Sequence, residues 1–217
     1  MYTMKLNVAL VLAALACTPV FAGAPEDFAA GLKAYSAGDI VGSMPLLRRA
    51  ADVGHAQAQA LLAEILDRSE FDEEAVAYYR KAADQGNADG QFGLGVMYSV
   101  GEGVKKDPVA ARRWITLAAE QGHKQAIGVM AQAFIAGQLG VSDQERQGEE
   151  ARRWVRKAAD LDSLPAVDAL VLAYRNGALG LEPDAKEADR WQAKANELRG
   201  IRPGSGKGKR RNVEVRK

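Results

Sequence analysis

Residues 111–119 read ARRWITLAA and residues 151–159 read ARRWVRKAA. The shared string, Ala-x-x-Trp-x-x-x-Ala-Ala, decides the fold, because self-similarity at a period of about 20–50 residues marks a repeat architecture. An earlier copy is Ala75-Tyr78-Ala82-Ala83, a later one is Ala188-Trp191-Ala195, and the first keeps Leu46-Ala50-Ala51. The anchor position therefore recurs at 46, 78, 114, 154 and 191, with spacings of 32, 36, 40 and 37.

A second string runs between the anchors at constant phase. Leu62, Leu94, Met130 and Leu170 each follow the first alanine of a pair by 12 residues, and Leu66, Tyr98, Phe134 and Tyr174 come four later. Length variation is thereby confined to the connections, as for packed helices joined by tolerant loops. Both strings place apolar residues at i, i+3/i+4 and i+7/i+8, the spacing of one helical face. Paired alanines let neighbouring helices approach closely, and the aromatic anchor, Trp114 included, is expected to be buried in the wedge between hairpins.

The punctuation agrees with helices. Asp107-Pro108 is an N-cap followed by proline at the first helical position, and Ser142-x-x-Glu145 reads as a capping box. Gly38, Gly86, Gly122, Gly137 and Gly177 fall just past helix ends. Five antiparallel pairs are predicted: 25–37 with 40–53, 55–68 with 72–85, 88–100 with 108–121, 124–136 with 143–161, and 164–176 with 183–199.

These residues resemble the Sel-one-like repeat family, relatives of the tetratricopeptide repeats. The fullest copy runs Leu94-Gly95-Val96-Met97-Tyr98, Gly101-Glu102-Gly103-Val104, Asp107, Ala110, Trp114 and Ala118-Ala119-Glu120-Gln121-Gly122-His123, ending at Ala126. The resemblance covers about residues 28 to 198 and implies an all-α, right-handed α-solenoid of about five hairpins that binds other proteins. Some relatives are reported to bind penicillin-like ligands. An enzyme or ligand-binding protein acting on cell-wall-type substrates is therefore the rival reading. Those relatives are rich in disulfides, whereas this chain has one cysteine.

No catalytic, cofactor-binding or metal-ligating set emerges from the residues. His55 and His123 occupy the same repeat position as Asn87, directly after a glycine, which marks a helix start rather than a paired ligand site. Gly204-Ser205-Gly206-Lys207 imitates part of a phosphate loop, but Ile201 stands where its first glycine belongs and no strand precedes it. Acidic runs such as Asp72-Glu73-Glu74 and Glu149-Glu150 open helices, where they complement the dipole. The expected function is a non-catalytic scaffold or adaptor.

The two ends differ from the body. Lys5 precedes the apolar run LNVALVLAALA, too short to span a bilayer, and Val20-Phe21-Ala22 offers small residues before a cut. Residues 1–22 are read as a signal peptide cleaved after Ala22, giving a periplasmic or secreted protein without a transmembrane segment. The alternative is a lipoprotein anchored at Cys17, since Ala14-Leu15-Ala16-Cys17 resembles a lipoprotein box. The chain carries +1 overall, but residues 199–217 hold eight basic side chains and one acidic. That glycine-containing, non-periodic stretch is read as a disordered tail. It is either a solvated terminus or a contact for an anionic surface, polymer or acidic protein face. Nucleic acid is not expected, because no aromatic interleaves the basic residues.

The binding surface is expected on the side of each first helix opposite its buried stripe. Across the copies those positions are Glu64 and Asp67, Phe92 and Val96, Gln132 and Ile135, then Leu172 and Arg175. Phe92, Val96, Ile135 and Leu172 would form one apolar floor for a protein or peptide partner. Glu64 and Asp67 would select a basic segment at its end, the chain's own tail included.

Overall fold

The computed structural model describes residues 23–201, so the signal-peptide reading, Cys17 and nearly all of the basic tail lie outside the described residues. Within them the chain forms ten α-helices and no strand. These are α1 (Ala24–Ser36), α2 (Ile40–Asp52), α3 (Ala56–Arg68), α4 (Asp72–Asp84) and α5 (Ala88–Val100), then α6 (Pro108–Glu120), α7 (Lys124–Ala136), α8 (Glu149–Asp160), α9 (Leu164–Asn176) and α10 (Ala185–Leu198). Each helix packs on the one before and the one after, and α3 also meets α5 as α7 meets α9. That is an α-solenoid of five hairpins, and none of its helices is long and apolar enough to cross a membrane.

Local chemistry sets the ends. Asp107 and Asp184 accept hydrogen bonds from the first turns of α6 and α10, and His55, Asn87 and His123 do the same for α3, α5 and α7. The glycines at 38, 86, 122, 137 and 177 take φ values between 69° and 88°, the left-handed backbone that ends a helix. One boundary differs from the expectation. The Ser142–Glu145 box forms, with the Glu145 carboxylate accepting from both the backbone N–H and the hydroxyl of Ser142. It caps only a 3₁₀ turn, Glu145–Gln147, because Gly148 then adopts extended backbone and α8 starts at Glu149. These bonds and Arg112 hold the Glu145 carboxyl down at about 2.

The buried stripe is as expected except at its aromatic anchor. Leu62, Leu94, Met130 and Leu170 are fully buried, and so are the alanine pairs. Trp114, however, is only half-buried, whereas Trp154 has no exposed surface. At about 100° per residue, the apolar positions −3, 0, +1, +4 and +5 relative to the anchor span an arc of about 140°. The anchor lies at the edge of that arc, and the next residue lies inside it. Leu47, Tyr79, Ile115 and Val155 are accordingly buried in the first four copies. The edge is roofed by cations. Lys81 stands 4.7 Å from the Tyr78 ring, and Lys157 and Arg153 stand 4.8 and 4.6 Å from Trp154. In the Trp114 copy the equivalent of Lys157 is Leu117, leaving Arg113 alone over the ring.

A second reason lies in the core, which divides into two clusters. One runs from Ala24 to Met97 and the other from Ile115 to Ala195. Trp114 packs on the first from across the seam, whereas Trp154 sits inside the second. Glycines tighten α5 against α4. A Cβ at Gly93 would come within 2.2 Å of the Tyr79 ring, and one at Gly90 within 2.5 Å of Ala82. Gly128, inside α7, has open space instead. Gly128→Ala should therefore raise stability by about 1 kcal/mol through helix propensity, moving the thermal midpoint up by about 2–4 °C. A lowered midpoint would show that this flank of α7 is covered.

Candidate functional site

The fifth residue of each odd-numbered helix and the cap of the next odd-numbered helix vary together. Phe28 in α1 stacks on His55 at 4.6 Å between ring centroids, and Phe92 in α5 stacks on His123 at 4.7 Å. Where the helical residue is small, the cap is small too: Ala60 goes with Asn87, and Gly128 goes with Ser163. Two aromatic ridges therefore flank a recess at Ala60. The histidines also do ordinary capping work. His123 Nδ1 accepts from the Ala126 N–H at 3.1 Å, which places the ring proton on Nε2, 3.2 Å from Asp89 Oδ1.

The recess opens into a groove of about 440 Å³ lined by α1, α3, α5, Tyr79 of α4 and the start of α7. Ala60, Gly93 and the buried Tyr79 form its floor, and Phe28, Leu32, Leu61, Phe92 and Val96 form its apolar walls. Acidic side chains crowd its rim. Glu64 is paired with Arg68 at 2.6 Å, and Asp89 faces His123. The Asp67 carboxylate makes no hydrogen bond among the described residues. Burial, then the charges of Glu102 and Asp72, push its carboxyl above the usual range, with Arg68 opposing. Burial and the charges of Asp67 and Glu64 likewise raise the Tyr79 phenol. A cation entering here would relieve this repulsion. The groove thus combines apolar walls with a negatively charged rim.

Four of the eight expected surface residues meet in this groove: Glu64, Asp67, Phe92 and Val96. The other four do not. Gln132 is exposed on α7, and Ile135 is half-buried against the second core cluster, its carbonyl taken by Arg146. Leu172 stands 54% exposed on α9, and Arg175 bonds Gln192 on α10 at 3.2 Å. The expected continuous floor of Phe92, Val96, Ile135 and Leu172 is therefore interrupted after α5. α5 and α7 do not pack closely as α3 and α5 do, so their faces do not merge. The residues missed by the sequence reading are Phe28, Ala60 and Tyr79, although the Phe–His and Ala–Asn correspondence was visible in the repeat.

A larger hollow of about 1020 Å³ lies along α10, between Asp162, Arg190, Lys194, Glu197 and Ile201. Its lining comes from α10, Gly200, Ile201 and Asp162 of the α8–α9 connection and holds no aromatic residue, so it offers less to grip than the smaller groove. Among the described residues, no three His, Cys, Asp or Glu side chains converge closely enough to hold a metal ion.

The model of the Sel1 repeat matches residues 56–87, 88–123, 129–163 and 169–198, together more than half of the chain. The chain belongs to the Sel1 repeat family. Proteins built of Sel1 repeats generally mediate protein–protein interaction. No curated protein matches the chain by sequence. Among solved structures, it is similar to c5321, a protective antigen present in uropathogenic Escherichia coli strains and displaying the same repeat fold. The two are 31% identical over 80% of this chain, with a TM-score of 0.70, and the match spans 38% of the antigen. A Sel1 repeat protein from Oxalobacter formigenes is 29% identical over 78% of this chain and 70% of its own, with a TM-score of 0.68.

Proposed function

We propose that this Sel1 repeat array is a non-catalytic adaptor of the bacterial envelope that captures a basic, apolar peptide segment of a partner protein in the Ala60 groove. The observation that supports it is the recess between the Phe28–His55 and Phe92–His123 stacks, closed at one rim by carboxylates. An extended peptide presents alternate side chains to opposite sides. Valines on one side would fill the recess while arginines on the other reach Asp67 and Asp89. The envelope setting rests on the apolar run LNVALVLAALA and the cut at Ala22.

The test is fluorescence anisotropy with a labelled hexapeptide, Arg-Val-Arg-Val-Arg-Val, and its Glu-Val counterpart. Binding in the range of about 10–100 μM is expected for the first and none for the second. The groups facing Asp67 are Glu64 and Arg68 from α3, Asp72 and Tyr79 from α4, and Glu102 beyond α5. A cation favours ionised Asp67, so affinity should be full at neutral pH and fall on acidification. The fall should begin above the ordinary carboxylate range, because Asp67 protonates early. Equal binding of both peptides, or of neither, would remove the groove as a basic-peptide site.

A further inference from the structure

Charge is distributed along this chain in three blocks. Residues 23–104, which build most of the groove, hold six basic and 13 acidic side chains, a balance of −7. Residues 105–201 hold 15 basic and 14 acidic, close to neutral. Residues 202–217 hold seven basic and one acidic, a balance of +6. The positive block thus matches the first block rather than the one next to it in sequence. Its only apolar residues of valine size or larger are Val213 and Val215, one residue apart and followed by Arg216 and Lys217. An extended segment puts these two valines on one side, with Glu214 and Arg216 on the other, so that Arg216 is the cation presented to the acidic rim.

We propose that the occupant of the groove is the chain's own C-terminal segment, docked in cis with Val213 and Val215 in the Ala60 recess and Arg216 against Asp67. The proposal rests on the groove being a peptide site and names what fills it when no partner is present.

Reach permits the contact. Because the hairpins are antiparallel, α10 ends at the edge where the odd-numbered helices begin, the edge that carries His55, Asn87 and His123. Arg199 is held there by Asp168, the fifth residue of α9. From the end of α10 to the start of α3, which carries Ala60, is three repeat steps of about 10 Å each, or about 30 Å. Twelve residues of extended chain, 202–213, cover about 40 Å. A tethered segment acts at an effective concentration of about 1 mM, so even an intrinsic Kd of about 100 μM leaves the groove about nine-tenths closed. A partner segment would have to displace the tail, and the array would bind about 10-fold more weakly than its open form.

Two labelled probes on the full chain decide it: the Arg-Val hexapeptide, and a peptide of residues 207–217. The comparison is between the parent chain and a tail variant, Val213→Asp with Val215→Asp, whose substitutions lie outside the helical array. Both probes should bind the tail variant about 10-fold more tightly than the parent, independent of protein concentration and less so at high salt. Adding Phe92→Asp should abolish both signals. If the hexapeptide binds parent and tail variant equally, the tail does not occupy the groove, although the groove still takes basic peptides. If neither probe binds either chain, the groove reading fails first. A gain that disappears on dilution, with a dimer in sedimentation, would assign the tail to a neighbouring copy and overturn docking in cis.

Discussion

Trp154→Ala is expected to lower stability by roughly 3–5 kcal/mol, while Trp114→Ala, at the equivalent position, costs about 1–2 kcal/mol. Trp154 is fully buried within the second core cluster. Its indole N–H donates to Glu150 at 3.3 Å, and Arg153 and Lys157 lie on its ring, both anchored by Glu120 on α6. Removing the ring opens a cavity and strips the cations of their platform. Trp114 is half-exposed at the seam between clusters, so less contact is lost. For an array of this size the larger loss corresponds to a midpoint shift of about 10 °C, against about 3–5 °C for Trp114. Thermal unfolding followed by circular dichroism measures both. Equal shifts would mean that the two tryptophans are equally enclosed and that the seam carries no structural weight.

This contrast shows which parts of the fold were legible in the sequence. Helix count, pairing and nearly every end could be read, because glycine, proline and Asp/Asn/His caps act locally and announce themselves in a few residues. The start of α8 could not, since a well-formed capping box at Ser142–Glu145 serves a 3₁₀ turn once Gly148 breaks the helix. The anchor was overvalued for a geometric reason. A residue can be the largest and most recurrent of a stripe and still sit at its edge, with a smaller neighbour such as Ile115 taking the centre.

The surface was legible only in part, again for a physical reason. Helical phase places Glu64, Asp67, Phe92 and Val96 on one side of their helices, and the groove does contain them. Phase cannot tell whether neighbouring helices come close enough for their faces to join. Gly90 and Gly93 draw α5 onto α4, whereas the same positions of α7 are Ala126 and Val129. The shape of the groove comes from a relation between residues about 30 apart, where a large residue pairs with histidine and a small one with asparagine or serine. Single-position reading explained the histidines as caps, which they are, and passed over the rings stacked on them.

That relation yields the most severe expected effect on binding. Ala60 is the small member between two large ones, 4% exposed at the floor of the groove. Ala60→Phe combined with Asn87→His copies at this step the pair already present at Phe28–His55 and Phe92–His123. The backbone has accepted that pair twice, and the new ring would rise into existing space. The stack should therefore form, and the thermal midpoint should stay within about 3 °C of the parent, since no core contact is removed. Peptide capture should fall by at least about 30-fold, because the recess that received the valines is filled while every carboxylate remains. Retained charge separates the two contributions: any residual binding should be weak, strongly salt-dependent and indifferent to replacing valine by serine in the probe. A double variant that stays folded and binds the Arg-Val hexapeptide as tightly as the parent would place the apolar contact elsewhere on the array and leave the Ala60 recess without a role.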